Sequence, residues 1–391
     1  MAAPDVLTPA RLGAVTLRNR VIKAATWEGM APGGLVSDEL IEYHLEVARG
    51  GVGMTTVAYL AVAPEGRTEV DQVYWRSEAL PGLRRLTEAV HRTGAKISAQ
   101  IGHAGPVADA SSTRLRSLAP SRSFNPLSMS FNLAATHEDI ARITRQHAEA
   151  ARMAQDVGFD CIEVHLGHNY FASSFLSPGI NRRRDEFGGS LANRGKVARG
   201  VVEAVRRAVG DQVAVIAKLN MQDGVPSGIQ LPESLETARL LDADGHLDAL
   251  QLTAGSSLKN PMYLFKGGAP VGEFAAAMRT PLLRAGMRLA GRFFLREYEY
   301  QPLYFLEQAK RFREVVRMPI ILLGGVVDHD GMRTAMAEGF EFVAMARALL
   351  REPDLINRIA ADPATASLCI HCNRCMPTIY SGTRCPEIAV A

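Results

Sequence analysis

The segment His-Leu-Gly-His-Asn-Tyr at 165–170 sets two imidazoles three residues apart, with a phenol two residues further on. Neutral imidazoles at this spacing support two chemistries. They can ligate a metal ion, or they can act as paired hydrogen-bond donors to one substrate oxygen while Tyr170 supplies a proton. A blander reading makes His165 and His168 loop residues satisfied by their neighbours. A metal would need carboxylates from other strand ends, and only Asp223 and Glu163 are near, with Glu163 two before His165 and one layer deeper. The donor reading is preferred.

Two further groupings carry chemistry. Gly324 and Gly325, in LLGGVVDHDGM, allow backbone N–H groups to approach an anion, and Arg347, in FVAMARALLREP, can hold a phosphate bidentately. The plainer alternative is a tight turn. Near the C-terminus, Cys369, Cys372, Cys375 and Cys385 are spaced Cys-x2-Cys-x2-Cys-x9-Cys, whereas Cys161 stands alone before them. A disulfide framework would spread through the chain, so this crowding suggests reduced thiols or a metal clip.

The elements that must position these residues alternate. Eight short apolar runs, 21–25, 53–57, 96–101, 161–165, 213–219, 249–253, 319–324 and 342–346, are separated by amphipathic helical stretches. One such stretch, 137–157, opens at Thr136 with Asp139 three residues on. Another follows Ser37, with Asp38 and Glu39 at its start. Continuous apolar strands alternating with helices predict a parallel sheet, and eight units predict a closed (β/α)8 TIM barrel. A doubly wound sheet is the runner-up, but no GxGxxG follows the first strand. Trp27, Glu28, Gln100, His103, His165, His168, Lys218, Asn220, Ser256, Gly324, Gly325 and Arg347 all fall at strand ends, on the face where barrel active sites sit. Long connections at roughly 103–136 and 255–303 reach the same face and predict a lid or substrate wall.

Composition narrows the function classes. With 391 residues, 47% hydrophobic and 22% charged, the chain can bury a large core. A net charge of +3 argues against a nucleic-acid or membrane-surface binder. No run is long enough to span a membrane and the start MAAPDVLTPARLG lacks the pattern of a signal peptide, so a cytoplasmic location is expected. Partners are then small molecules, with a homo-oligomer left open.

These residues resemble the old yellow enzyme family of FMN-dependent oxidoreductases. The resemblance runs from Leu7 to Ile356 through LTPARLGAVTLRNRVIKAAT, VAPEGR (62–67), AQIGHAG (99–105), GFDCIEVHLGHNYFASSFLSPGINRRRDEFGGSLANR (158–194) and the final GG…AMAR. It implies FMN as cofactor, NAD(P)H as reductant, and ping-pong hydride transfer to the C=C bond of an enone-like or nitroalkene substrate. Carried across, it puts Gln100 and Lys218 on the flavin pyrimidine side, with Lys218 where the family usually has Arg. It puts Gly324, Gly325, Ala346 and Arg347 around the phosphate, and Thr26, Trp27 and Tyr59 against the ring. His165 and His168 hold the substrate oxygen and Tyr170 is the proton donor. The charges of 181–194 suit a structural network. Two positions depart from the family. Trp27 replaces the usual Thr or Cys, so its indole N–H must take over the contact with the flavin or the contact is lost. Tyr59 replaces a small residue and narrows the pocket unless it turns away.

The sequence divides into a barrel, 1–365, and a cysteine-rich tail, 366–391. The tail is similar to the cluster segment of dienoyl-CoA reductase and trimethylamine dehydrogenase relatives, but shorter in its second and third gaps. A [4Fe–4S] cluster is possible and not favoured, zinc less so, and unligated cysteines are the leading expectation. Two alternative functions stay open: a flavin-dependent dehydrogenase or demethylase passing electrons to a partner, and a metal-dependent barrel hydrolase or lyase using His165 and His168.

Overall fold

The computed structural model describes residues 3–388 apart from 126, 127 and 279. Each expected apolar run contains a strand: β1 (Val21–Lys23), β2 (Met54–Ala61), β3 (Lys96–Gly102), β4 (Cys161–Leu166), β5 (Ala214–Asn220), β6 (Ala249–Thr253), β7 (Ile320–Leu323) and β8 (Phe342–Met345). They pair in parallel in chain order and close β8 onto β1, a (β/α)8 barrel. The continuous apolar character follows from burial on both faces. Val57, Val164 and Val215 face the helices, while Met54, Cys161, Ala214, Ile216, Ile321 and Phe342 fill the interior.

A hairpin that the periodicity did not reveal, Ala10–Leu12 with Val15–Leu17, packs Leu12 and Leu17 onto that interior cluster. Its three-residue strands are too short to show an alternation. Around the barrel run α1 (Asp38–Arg49), α2 (Leu80–His91), α3 (His137–Asp156), α4 (Lys196–Val209), α5 (Leu231–Asp244), α6 (Leu306–Arg313), α7 (His329–Ala337) and α8 (Arg347–Arg351). The expected starts are present. Ser37 caps α1, accepting from Leu40 N at 3.0 Å, and Thr136 and Asp139 form a reciprocal capping box on α3.

The two long connections are structured. The first holds a small sheet of Leu118–Ala119, Ser123–Asn125 and Ser130–Ala134; the second holds helices Met262–Phe265, Val271–Ala277 and Pro281–Phe294. The cysteine segment is docked on the barrel rather than trailing from it. Thr383 N donates to Glu28 O at 2.7 Å, Thr383 Oγ1 to Trp27 O at 2.5 Å, and Asn373 Nδ2 to Gly268 O at 2.9 Å. Among the described residues, no helix is long and apolar enough to cross a membrane.

Candidate active site

The register explains why distant residues meet. Lys218 on β5 is level with His165 on β4 and Gln251 on β6, and Gln100 on β3 is level with Glu163. Side chains level with one another on a parallel sheet share a face, and here that face is the barrel interior.

His165 is buried, with its ring 4.4 Å from that of Tyr170 and 5.1 Å from that of His168. The turn presenting them needs a left-handed backbone, with φ of 58° at His168 and 62° at Asn169. Asn tolerates that region better than most residues. The turn is also pinned: Asn169 Nδ2 donates to Asp223 Oδ2 at 2.9 Å, and Asn220 Oδ1 accepts from His168 N at 3.1 Å. Asn220 Nδ2 in turn donates to Asp223 Oδ1 at 2.8 Å. Asp223 is thus a brace for the loop.

Both histidines are neutral. Burial, His168 and the Lys218 ammonium push His165 well below its ordinary value, and burial with Lys218 lowers His168 to about 3. Gly167 N donates to His165 Nδ1 at 3.3 Å, which assigns the ring proton to Nε2; His168 Nε2 lies 3.0 Å from Thr253 Oγ1. Burial raises Tyr170, so its phenol keeps its proton at neutral pH.

The metal reading of the two histidines fails on its ligands. Asp223 is engaged by two side-chain amides, and Glu163 belongs to Lys218, 2.9 Å away, and to Gln100 Nε2, which donates to the same oxygen. Among the described residues, the side chains spaced to share one ion are His137, Asp185 and Glu186, away from this site. Glu163 is also the residue sequence reasoning undervalued: it lies one layer deeper, but the long Lys218 side chain reaches it.

Several expected contacts are placed differently. The Trp27 indole N–H donates to Ile379 O in the docked tail at 3.1 Å. Thr26 Oγ1 lies 2.6 Å from Lys23 Nζ and 3.0 Å from the Tyr43 hydroxyl. Tyr59 turns its hydroxyl to Gly66 O at 2.7 Å and sets its ring 5.1 Å from that of Tyr170, in the wall beside the histidines. At the phosphate end, Gly324 and Gly325 adopt φ of 114° and 80°. A Cβ on Gly324 would stand 2.6 Å from Phe305, and one on Gly325 2.7 Å from Leu303 N. Arg347 Nη1 donates to Lys266 O at 2.9 Å and to Asn373 Oδ1 at 2.5 Å, and the guanidinium also hydrogen-bonds Tyr304. The 181–194 charges brace structure: Arg183 pairs with Asp185 and donates to Pro120 O and Ala135 O, and Arg194 pairs with Glu233.

Cys369, Cys372, Cys375 and Cys385 line one small pocket together with Arg347 and Arg351. All four are free thiols, and Arg351 Nη1 donates to Cys385 Sγ at 3.7 Å. Among the described residues, no three of the sulfurs fall within 4.8 Å of one another. Sulfurs around a single tetrahedral zinc, each about 2.3 Å from it, would be closer together.

Comparison with known proteins decides the family. The description "NADH:flavin oxidoreductase / NADH oxidase family" matches residues 5–254. The chain belongs to that family. With it come FMN as cofactor and a nicotinamide as reductant. The chain is 54% identical over 382 residues to a 4,4'-dithiodibutanoate disulfide reductase of Rhodococcus erythropolis, covering 98% of this chain and 94% of that one. It is 28% identical to a multifunctional alkene reductase/demethylase of Caballeronia cordobensis, covering 92% of this chain but 49% of that protein, about half its length. The fold matches the old yellow enzyme homologue of Zymomonas mobilis with a TM-score of 0.75 at 20% identity, over 98% of both chains.

The barrel mouth suits FMN on its own evidence. Glu163 Oε2 and both amide atoms of Gln251 are buried without a partner among the described residues, next to Gln100 and Lys218. Buried polar atoms of native proteins are almost always paired. A flat ring with alternating donors and acceptors on its pyrimidine edge would satisfy them.

Proposed function

We propose that this site reduces the electron-poor C=C bond of an enone-like or nitroalkene substrate. When bound, FMN supplies the hydride, taken from NAD(P)H and delivered to the substrate β-carbon. His165 and His168 donate to the substrate's carbonyl or nitro oxygen, whose negative charge grows as hydride arrives. Tyr170 gives its phenolic proton to the α-carbon and is reprotonated from water, so one hydride and one proton account for the two hydrogens added. Gln100 and Lys218 serve the pyrimidine edge, and Gly325, Ala346 and Arg347 the phosphate. The observation that carries this reading is the neutral pair of buried His165 and half-buried His168, with the Tyr170 ring 4.4 Å from that of His165. Neutral imidazoles make donors without a charge to solvate, and a phenol held protonated suits an acid.

Half-reaction kinetics test it. His165→Ala or His168→Ala should slow substrate reduction by about 10²–10³ and weaken phenol binding, as loss of a preorganised oxyanion donor does. Tyr170→Phe should spare flavin reduction and phenol binding while impairing alkene turnover, least for nitroalkenes. If Tyr170→Phe slows both half-reactions alike, Tyr170 is a wall residue and the reading fails.

A second reading rests on the Rhodococcus relative, which shares more than half its residues with this chain and is named for disulfide reduction. An organic disulfide in the same pocket would take two electrons and two protons overall, yielding two thiols, with Tyr170 placed to protonate the departing thiolate. Turnover of 4,4'-dithiodibutanoate against 2-cyclohexenone under matched conditions separates the two.

A further inference from the structure

Lys23 is among the largest fully buried side chains, and it plays no part in the chemistry described above. It lies on β1 with Ile22, before it in sequence, facing the barrel interior, so its own side chain runs between the strand and α1. Its ammonium sits 5.3 Å from the centre of the Tyr43 ring and donates to Ala24 O at 2.8 Å and Thr26 Oγ1 at 2.6 Å. No carboxylate lies within ion-pair distance of it among the described residues. Glu28, the acid whose charge is felt at Lys23, accepts from Ala58 N at 2.9 Å and lies 3.3 Å from His44 Nε2. A buried cation held by dipoles alone is costly unless something else uses its charge.

Lys218 is placed differently. It stands 2.9 Å from Glu163, with both side chains almost wholly buried, so its charge already has a partner, whereas that of Lys23 has none. We propose that Lys23 is the charge-balancing residue of the flavin site, its ammonium set behind the Thr26–Trp27 turn to offset the negative charge that reduction places on the isoalloxazine. The inference rests on the family's FMN occupying the barrel mouth. Lys23 is a positioning residue: it acts through Thr26 and through its field, without touching substrate. The groups facing it are Glu28 beyond β1, Tyr43 and His44 on α1, and Lys218 on β5, with Cys375 of the tail reaching Tyr43. Burial, opposed by Glu28 and reinforced by Lys218, lowers Lys23 to about 8.

The test is the midpoint potential of the bound flavin in wild type, Lys23→Met and Lys23→Arg, with FMN content measured on the same samples. Lys23→Met should hold oxidised FMN as wild type does but bind the reduced form about tenfold less tightly. Tenfold is the scale of two unit charges roughly 12 Å apart at an effective dielectric near 20. Lys23→Arg should restore the wild-type ratio. A flavin-loaded Lys23→Met with wild-type potential overturns the role of Lys23 alone, whereas a wild type that takes up no FMN overturns the site on which it rests. Should Lys23→Met fail to fold, the wild-type potential decides: it should fall more steeply with pH around pH 8, and an unbroken slope there refutes the inference.

Discussion

Replacing Glu163 with Gln separates the roles of the two charges at the barrel mouth. Glu163 Oε1 lies 2.9 Å from Lys218 Nζ, and the two side chains are 1% and 3% exposed. Removing one partner of a buried ion pair leaves the other charge uncompensated, at a cost of about 3–5 kcal/mol. For a chain of 391 residues the lower figure corresponds to a fall in melting temperature of roughly 4 °C. The amide can still accept from Lys218 and Gln100, so the fall should sit near the lower end. A reduced flavin carries negative charge on its pyrimidine side and would replace the lost carboxylate. Reduced FMN should therefore raise the melting temperature of Glu163→Gln by more than it raises that of wild type, and the flavin potential of the variant should move up. Differential scanning fluorimetry under anaerobic conditions, with and without dithionite-reduced FMN, reads the first effect. Equal FMN-induced shifts in variant and wild type would show that Lys218 does not face the flavin.

Three further outcomes are expected. Thr253→Val removes the hydroxyl 3.0 Å from His168 Nε2; losing a hydrogen bond worth about 1 kcal/mol should lower kcat/KM for substrate about fivefold while FMN stays bound. His147 is buried against Ile143 O, and burial lowers it from 6.5 to about 4, so it is neutral in the fold. Because the unfolded chain takes up that proton below its own higher value, stability present above pH 6.5 is lost as pH falls toward 4. The loss is about 2 kcal/mol at pH 5, and the fall in melting temperature between pH 7 and 5 should be shallower in His147→Gln. Joint replacement of Cys369, Cys372, Cys375 and Cys385 by Ser should leave substrate turnover nearly intact, and about four irons with matching acid-labile sulfide per chain after anaerobic purification would overturn that.

The barrel was legible because β-branched runs bounded by glycines are what doubly buried parallel strands require, and the capping residues of α1 and α3 mark their own helices. The site histidines, Tyr170, Gln100 and Lys218 were legible as polar residues at strand ends. What the sequence left hidden depends on reach and on distant contacts. Strand alternation puts Glu163 a layer below His165, but alternation says nothing about how far a lysine extends. The partner of the Trp27 indole lies in the tail at Ile379, 352 positions away, and no local pattern encodes it. The four cysteine sulfurs converge because Asn373 is anchored on Lys266 and Gly268 and Thr383 on Trp27 and Glu28. Lys23 did leave a signal, a single charge inside the apolar run VIKAA, where burial on both faces makes any cation a question.

The central claim is that the barrel mouth holds FMN, and it is tested most directly by releasing whatever the purified protein carries. Heat-denatured supernatant should show a flavin spectrum and the mass of FMN, stoichiometric with the chain. Arg347→Ala should retain less if Arg347 holds the phosphate as proposed, a charge-assisted contact worth about 2–3 kcal/mol. A wild-type protein that stays colourless after incubation with excess FMN would contradict the account.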